Sequence, residues 1–355
     1  MNGRCAIRPT LIVLLMFWLA QAQALEPRRE GQDAFISHAI FANGVLWIRS
    51  DAGIVSSIAP RANHRVEQRL SHPALGLWQH EHAPQVISCA AEDCLTWSLQ
   101  RLIGKKWTEV AKVPAEGDAF VAATSDDSND IILTSRRIII VNRDHLSSRV
   151  LSESLRRAPV TNVFATGESL LVGLNIGEWG GGLSRIDRKS GKVTSIERND
   201  SQDICGGPLD TNCDPVNGVA REPWRPECVV AAIGLVHMTS HGRIVEVCGE
   251  DAREIYSKHF VVNPEDGEFA VKLAAISTVP FFGVSRCGDR ICAIATDGIH
   301  QIDAQWESKI VPLPPFKEVD GVGVNFDMPQ GVLVVTRINQ RVSVSGNVPL
   351  LVPRE

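Results

Sequence analysis

Leu170–Asp187 reads LLVGLNIGEWGGGLSRID. Two short apolar runs, Leu170–Leu174 and Gly182–Asp187, flank a glycine-rich turn over Asn175–Gly181. Short runs of aliphatic residues bounded by Gly and Asn predict strands joined by a turn, not a helix. The rest of the chain repeats shorter versions of this unit.

The recurrences are NGVLWIRSDAGIVSSI at 43–58, EDCLTWSLQRLIGKKW at 92–107, NDIILTSRRIIIVNRD at 129–144, HGRIVEVCGEDAREIYS at 241–257, GDRICAIATDGIHQID at 288–303 and QGVLVVTRINQRVSV at 330–344. Each opens on a polar pair that tolerates positive φ, as hairpin turns require, and continues as strand, break and strand. A further apolar run precedes most of the turns, such as Ala34–Phe41 and Phe281–Arg286, and a fourth often follows, such as Val193–Ile196. Three or four antiparallel strands repeated at about 47 residues match the period of a β-propeller. One small sheet cannot bury both of its faces, whereas a closed ring of sheets covers both faces of each. The expectation is an all-β chain forming a seven-bladed β-propeller, with six or eight blades, or a pair of β-sandwiches, as alternatives.

Arg4 and Arg8, an apolar run over Leu11–Ala20 and small residues at Ala20, Ala22 and Ala24 have the layout of a secretory signal peptide. That run is shorter than the about 20 residues a membrane span needs. The domain reading is signal peptide 1–24, N-terminal segment 25–33 and a single propeller over 34–355, with a loop insertion at 198–227. Net charge is −5. No basic footprint argues for nucleic acid, and no later stretch reads as a membrane span. The chain is therefore expected in the periplasm or outside the cell. Nine cysteines less Cys5 leaves eight, an even number suited to an oxidising compartment. Proximity pairs Cys89 with Cys94, Cys205 with Cys213, Cys228 with Cys248 and Cys287 with Cys292, and a metal reading of these cysteines lacks a CxxC pair.

LLVGLNIGEWGGGLSRID and ICAIATDGIHQID resemble the repeat of secreted two-component-regulator propellers, W-x-G-T-x-x-G-L-x-x-hydrophobic-D, with Asp187 and Asp303 at the closing acidic position. The other copies keep only the hydrophobic frame. The resemblance implies the fold; its members include sensors, binding modules, lyases and hydrolases, so it implies little about activity.

If each sheet starts at its inner strand, second-to-third turns and the links between sheets emerge at one rim. The Asn175–Gly181 turn and the Arg198–Glu227 insertion fall in that class and are expected side by side. Cys89–Cys94 and Cys287–Cys292 are expected in first-to-second turns, at the opposite rim. Glu178 and Trp179 in the first loop, with Trp224 and Arg225 in the second, are the candidate ligand-binding residues. An exposed Trp can stack on a sugar, a ring or a cation, or else pack as a lid over its own loop. Asp203, Asp210 and Asp214 offer oxygens to Ca²⁺, although their spacing is not an EF-hand and such turns commonly cap backbone. His80-Glu81-His82 is expected in the link between the first two units, where histidines at i and i+2 of a strand could share Zn²⁺. No cofactor is expected from these patterns, and no catalytic motif such as GxSxG or HExxH occurs. The leading expectation is a non-catalytic propeller binding an unidentified ligand or protein on the rim of the two long loops. The alternative is a hydrolase or lyase at the channel mouth using Glu178, His80, His82, Asp210 and Asp214, with or without a divalent metal.

Overall fold

The computed structural model describes residues 36–58, 65–142, 145–155, 160–199, 206–237, 239–261, 265, 267–312, 322–325, 331–336 and 349–353. The signal peptide at 1–24, the segment at 25–33, Asp203 and Cys205 lie outside the described residues.

Asp130–Thr134, DIILT, is buried at every position. Successive strand residues point to opposite faces of a sheet, and here each face meets a different neighbour. Ile131 and Leu133 pack with Leu170, Val172 and Ile186. Ile132 packs with Trp97, Leu99 and Val113. Continuous apolar runs of this kind mark strands covered on both sides.

The described strands form six four-stranded antiparallel sheets and one three-stranded sheet. Sheet 1 begins at Ile36–Ala42. Sheet 2 comprises Ala74–His80, Ala83–Cys89, Thr96–Ile103 and Lys106–Pro114. Sheet 3 comprises Phe120–Ser125, Asp130–Thr134, Arg137–Asn142 and His145–Val150. Sheet 4 comprises Val160–Ala165, Ser169–Asn175, Gly181–Asp187 and Val193–Ile196. Sheet 5 comprises Val216–Arg221, Val229–His237, Thr239–Cys248 and Asp251–Tyr256. Sheet 6 comprises Phe281–Cys287, Arg290–Ala295, Gly298–Ile302 and Ser308–Val311. Val322–Asn325, Gly331–Thr336 and Pro349–Pro353 make the three-stranded sheet.

First strands of consecutive sheets touch, and Val322–Asn325 touches both Phe281–Cys287 and Ile36–Ala42, which closes a ring. Separate apolar clusters fill the spaces between sheets 1 and 2, 2 and 3, 3 and 4, 4 and 5, and 5 and 6. Burying one Leu, Ile or Phe side chain contributes about 1.5–3 kcal/mol, so these inter-sheet spaces hold the ring together. Two separate sandwiches would not produce this arrangement.

Antiparallel order fixes two rims. Links between sheets and second-to-third turns emerge at one, the link rim; first-to-second and third-to-fourth turns emerge at the other, the hairpin rim. The closing aspartates belong to third-to-fourth turns. Asp187 Oδ1 accepts hydrogen bonds from Ser190 N and Oγ, both at 2.6 Å, and Asp303 Oδ1 accepts from Gln305 N and Glu307 N, both at 3.0 Å. An Asp there bends the chain between strands by capping its backbone.

The even repeat expected from sequence is broken. First strands start at 36, 74, 120, 160, 216, 281 and 322. In sheet 2 the Glu92–Asp93 turn joins the second strand to the third and is not the first-to-second turn expected there. His241-Gly242 lies inside Thr239–Cys248 and is no turn. The link from sheet 5 to sheet 6 carries an α-helix, Glu268–Ala275, in a chain expected to be all β.

Disulfides join Cys89 to Cys94, Cys228 to Cys248 and Cys287 to Cys292. Cys213 is also disulfide-bonded. Cys287–Cys292 closes a first-to-second turn, whereas Cys89–Cys94 closes a second-to-third turn and so lies on the link rim, opposite to expectation. The shifted reading of sheet 2 is the reason.

Candidate functional site: the link rim of sheets 4 to 6

The turn after Ser169–Asn175 closes around a 3-10 turn, Gly177–Trp179. Asn175 Oδ1 accepts from Gly177 N at 2.7 Å, and Ile176 N donates to Gly180 O at 2.8 Å. This local bonding lifts Glu178 and Trp179 off the sheet, and Trp179 is 73 % exposed.

Beneath the turn lies the link from sheet 4 to sheet 5. Gly181 N donates to Thr211 O at 3.0 Å and Gly182 N to Asp214 O at 2.7 Å. Gly180, at φ +83°, sits against the Thr211–Asn212 backbone where a Cβ would collide. The glycine run is therefore required twice, for its left-handed backbone and for the close approach of a second loop.

Asp214 anchors that second loop and is 1 % exposed. Its Oδ2 accepts from Asp210 N at 2.7 Å and from Arg243 Nη2 at 2.5 Å. Its Oδ1 lies 3.6 Å from His241 Nε2. Arg243 also donates from Nε to Pro208 O at 2.8 Å. Asp210 is buried as well; its carboxylate accepts from Asn212 N at 2.9 Å and Asn199 Nδ2 at 3.1 Å. Both carboxylates, candidate oxygen ligands in the sequence, brace the loop by accepting from N–H donors.

The same rim carries other exposed apolar side chains. Val236, 62 % exposed, stands at the second-to-third turn of sheet 5. The link to sheet 6 presents Phe269 at 79 % and Ile276 at 70 %. That link is tied to the hairpin, because Thr278 N donates to Ser240 O at 2.9 Å and Gly242 N donates to Thr278 Oγ1 at 2.7 Å. Asn217 continues the bracing across three sheets: its Oδ1 accepts from Asn175 Nδ2 at 2.6 Å, and its Nδ2 donates to Gly234 O and Phe281 O.

The expected insertion at 198–227 is not one loop. Residues 216–221 form the first strand of sheet 5, so Trp224 and Arg225 follow that strand and emerge on the hairpin rim, away from Trp179. The apolar run VNGVA was masked in sequence by the Pro, Asn and Asp around it. Trp224 packs edge-on against Trp306, ring centroids 5.4 Å apart, and Arg253 stacks over Trp306 at 5.7 Å. Arg225 pairs with the buried Glu246, which also takes Arg253 Nε at 2.6 Å. Trp224 and Arg225 thus close the edge between sheets 5 and 6.

His80, Glu81 and His82 occupy the first-to-second turn of sheet 2, on the hairpin rim and not in a link. Glu81 and His82 have φ +48° and +65°, so the chain reverses there and the strand geometry needed for a shared Zn²⁺ is absent. His80 is buried with Nδ1 2.8 Å from Asp130 Oδ1, while His82 Nδ1 meets Gln79 at 3.4 Å. Glu178, Asp210 and Asp214 on one rim and His80 and His82 on the other are not brought together. Among the described residues, the one grouping of three side chains with metal-ligand spacing is Glu222 with Cys228 and Cys248, and those sulfurs are bonded to each other.

No family model matches the sequence, and no curated protein matches it. Its shape does have relatives among solved structures. U3-55K aligns over 94 % of this chain and 98 % of its own, with a TM-score of 0.56 and 8 % identity. The WD40 repeats of RRP9 align over 94 % and 100 %, at 0.55 and 8 % identity. This chain is a β-propeller. The propeller also aligns with YCF48 from Cyanidioschyzon merolae, over 94 % of this chain and 99 % of that one, at 0.54 and 11 % identity. A further neighbour is the extracellular domain of the one-component-system protein BT4673 from B. thetaiotaomicron, at 0.54 and 10 % identity. The alignment covers 94 % of this propeller but only 40 % of that chain. The likeness to two-component-regulator propellers is therefore met at the level of fold. No described helix is long and apolar enough to cross a membrane.

Proposed function

We propose that this chain is an exported, non-catalytic propeller that binds a protein or peptide partner on the link rim of blades 4 to 6, with the three-stranded sheet as its seventh blade. The observation that carries the reading is the set of exposed apolar side chains there, Trp179, Val236, Phe269 and Ile276, on loops braced from below. Rigid support under exposed aromatic residues suits recognition, because little side-chain entropy is lost on binding. Peptide binding by a propeller has a parallel in YCF48, solved bound to D1 peptide. Export rests on the signal-peptide layout and on the disulfides.

A photo-crosslinking residue placed at Trp179, and separately at Phe269, tests this in the producing cell. A discrete adduct from both positions, and none from a position on the hairpin rim such as Gln305, is the expected result. Adducts that form only from the hairpin rim would transfer the binding face there.

A further inference from the structure

The turn between Glu222 and Cys228 carries a chemical grouping that the binding rim does not use. Continuing the register of Val229 with Val247, Cys228 and Cys248 face each other across two strands, Cα atoms 4.5 Å apart, and form a disulfide. A carboxylate oxygen of Glu222 lies within 4.8 Å of both sulfurs. Glu222 is 1 % exposed. Its Oε1 meets Arg225 Nε at 3.4 Å, and its Oε2 has no hydrogen-bond partner among the described residues. A buried polar atom left without a partner is destabilising, so its persistence beside a disulfide asks for a chemical reason.

Burial pushes the Glu222 carboxyl above its ordinary value, against the opposing charges of Arg225 and Arg253 and with the help of Glu227. Glu246, the other acid in this corner, is already paired with Arg225 and Arg253. The two cysteines are unequally exposed. Cys228 is buried, whereas Cys248 is partly exposed and is followed by the exposed Gly249 and Glu250. Among the described residues, neither Cys89–Cys94 nor Cys287–Cys292 has a carboxyl placed this way.

We propose that Cys228–Cys248 is a redox-active disulfide that exchanges with an external dithiol, with Glu222 as proton donor to the departing Cys228 sulfur. A thiolate of the dithiol attacks Cys248 Sγ and forms a mixed disulfide. The Cys228–Cys248 bond breaks, and its electron pair goes to Cys228 Sγ. The Glu222 carboxyl protonates that sulfur and becomes a carboxylate beside Arg225. The second thiol of the dithiol, deprotonated to solvent, then attacks the mixed disulfide. Cys248 leaves as a thiolate that takes a proton from water. Two electrons pass to the protein, and the dithiol ends as a disulfide. In reverse, Glu222 as carboxylate takes the proton from Cys228 and turns it into the attacking thiolate.

The test uses the intact mature protein with dithiothreitol at about pH 6, acid quenching, alkylation and peptide mass spectrometry; glutathione traps the mixed disulfide. Cys228–Cys248 should open before Cys287–Cys292, and glutathione should be found on Cys248. Glu222→Gln should slow that opening roughly 10²-fold, the low end of what a positioned proton donor supplies, and leave Cys287–Cys292 unchanged. Opening of Cys287–Cys292 first, glutathione on Cys228, or equal rates in the variant would each overturn the proposal. The wild-type pH profile decides the matter should the variant fail to fold. Thiolate attack alone rises about tenfold per pH unit below the thiol pKa. A shallower rise is expected as Glu222 ionises, and the full slope would count against it.

Discussion

His80 Nδ1 lies 2.8 Å from Asp130 Oδ1 across the interface between blades 2 and 3. The same oxygen accepts from Trp78 Nε1 at 2.9 Å and Gln85 Nε2 at 2.8 Å, and Arg101 Nη2 stands 3.6 Å from Oδ2. One buried carboxylate thus joins the blades through three hydrogen bonds, with the Arg101 guanidinium as a further nearby charge. Asp130→Ala leaves those donors without an acceptor and should cost about 3–5 kcal/mol, the range for breaking a buried charged pair. Asp130→Asn, which keeps one acceptor oxygen, should cost less. Urea unfolding of the two variants checks both the size and the order.

Arg243 holds Asp214 and Pro208 O with separate nitrogens. Arg243→Lys keeps a charge but loses that fork. Both it and Arg243→Ala should loosen the link at 206–215, with Ala worse because Asp214 stays buried without its guanidinium. Limited proteolysis should then cut within this link, where wild type resists. Adducts from position 179 should weaken in parallel.

Gly180→Ala introduces a side chain at φ +83° against the Thr211–Asn212 backbone. Alanine where φ is positive destabilises by more than about 1 kcal/mol, and here the two loops must also separate. A lowered melting temperature together with lost crosslinking is expected. Gly177→Ala, also at positive φ but with open space around it, should leave the Thr211 contact intact and disturb binding less.

Asp297 accepts from His300 Nε2 at 2.8 Å and Lys258 Nζ at 2.6 Å. Burial alone would raise its carboxyl, but the hydrogen bonds and charges of His300 and Lys258 win and hold it at about 2, below the ordinary 3.8. A carboxyl depressed on folding contributes stability that is present above its unfolded value and lost as pH falls through the folded one. Stability from this group should therefore decline between pH of about 4 and about 2. Urea midpoints measured across that window should fall less steeply in Asp297→Asn.

The resemblance of LLVGLNIGEWGGGLSRID to a propeller repeat was legible because Asp187 and the flanking apolar runs act within one hairpin. Glu178 and Trp179 were legible as exposed for the same reason, since glycines on both sides leave no strand to bury them. Asp130 drew notice only as half of a turn pair, because its three hydrogen-bond partners and the charge of Arg101 come from sheet 2, at positions 78, 80, 85 and 101. The helix Glu268–Ala275 carries ordinary helix formers, but at eight residues it is too short for a periodic signal to stand out.

Strand content, most of the hairpin turns, the pairs Cys89–Cys94, Cys228–Cys248 and Cys287–Cys292 and the closing aspartates were determined by the sequence by itself, because each depends on residues close together in the chain. Which rim a loop occupies was decided only in three dimensions. A single overlooked strand, Val216–Arg221, reverses the chain once more and carries Trp224 and Arg225 to the opposite rim from Trp179. Antiparallel folding makes rim assignment a matter of counting every strand, and a short strand among Pro, Asn and Asp declares itself only when neighbouring sheets cover it.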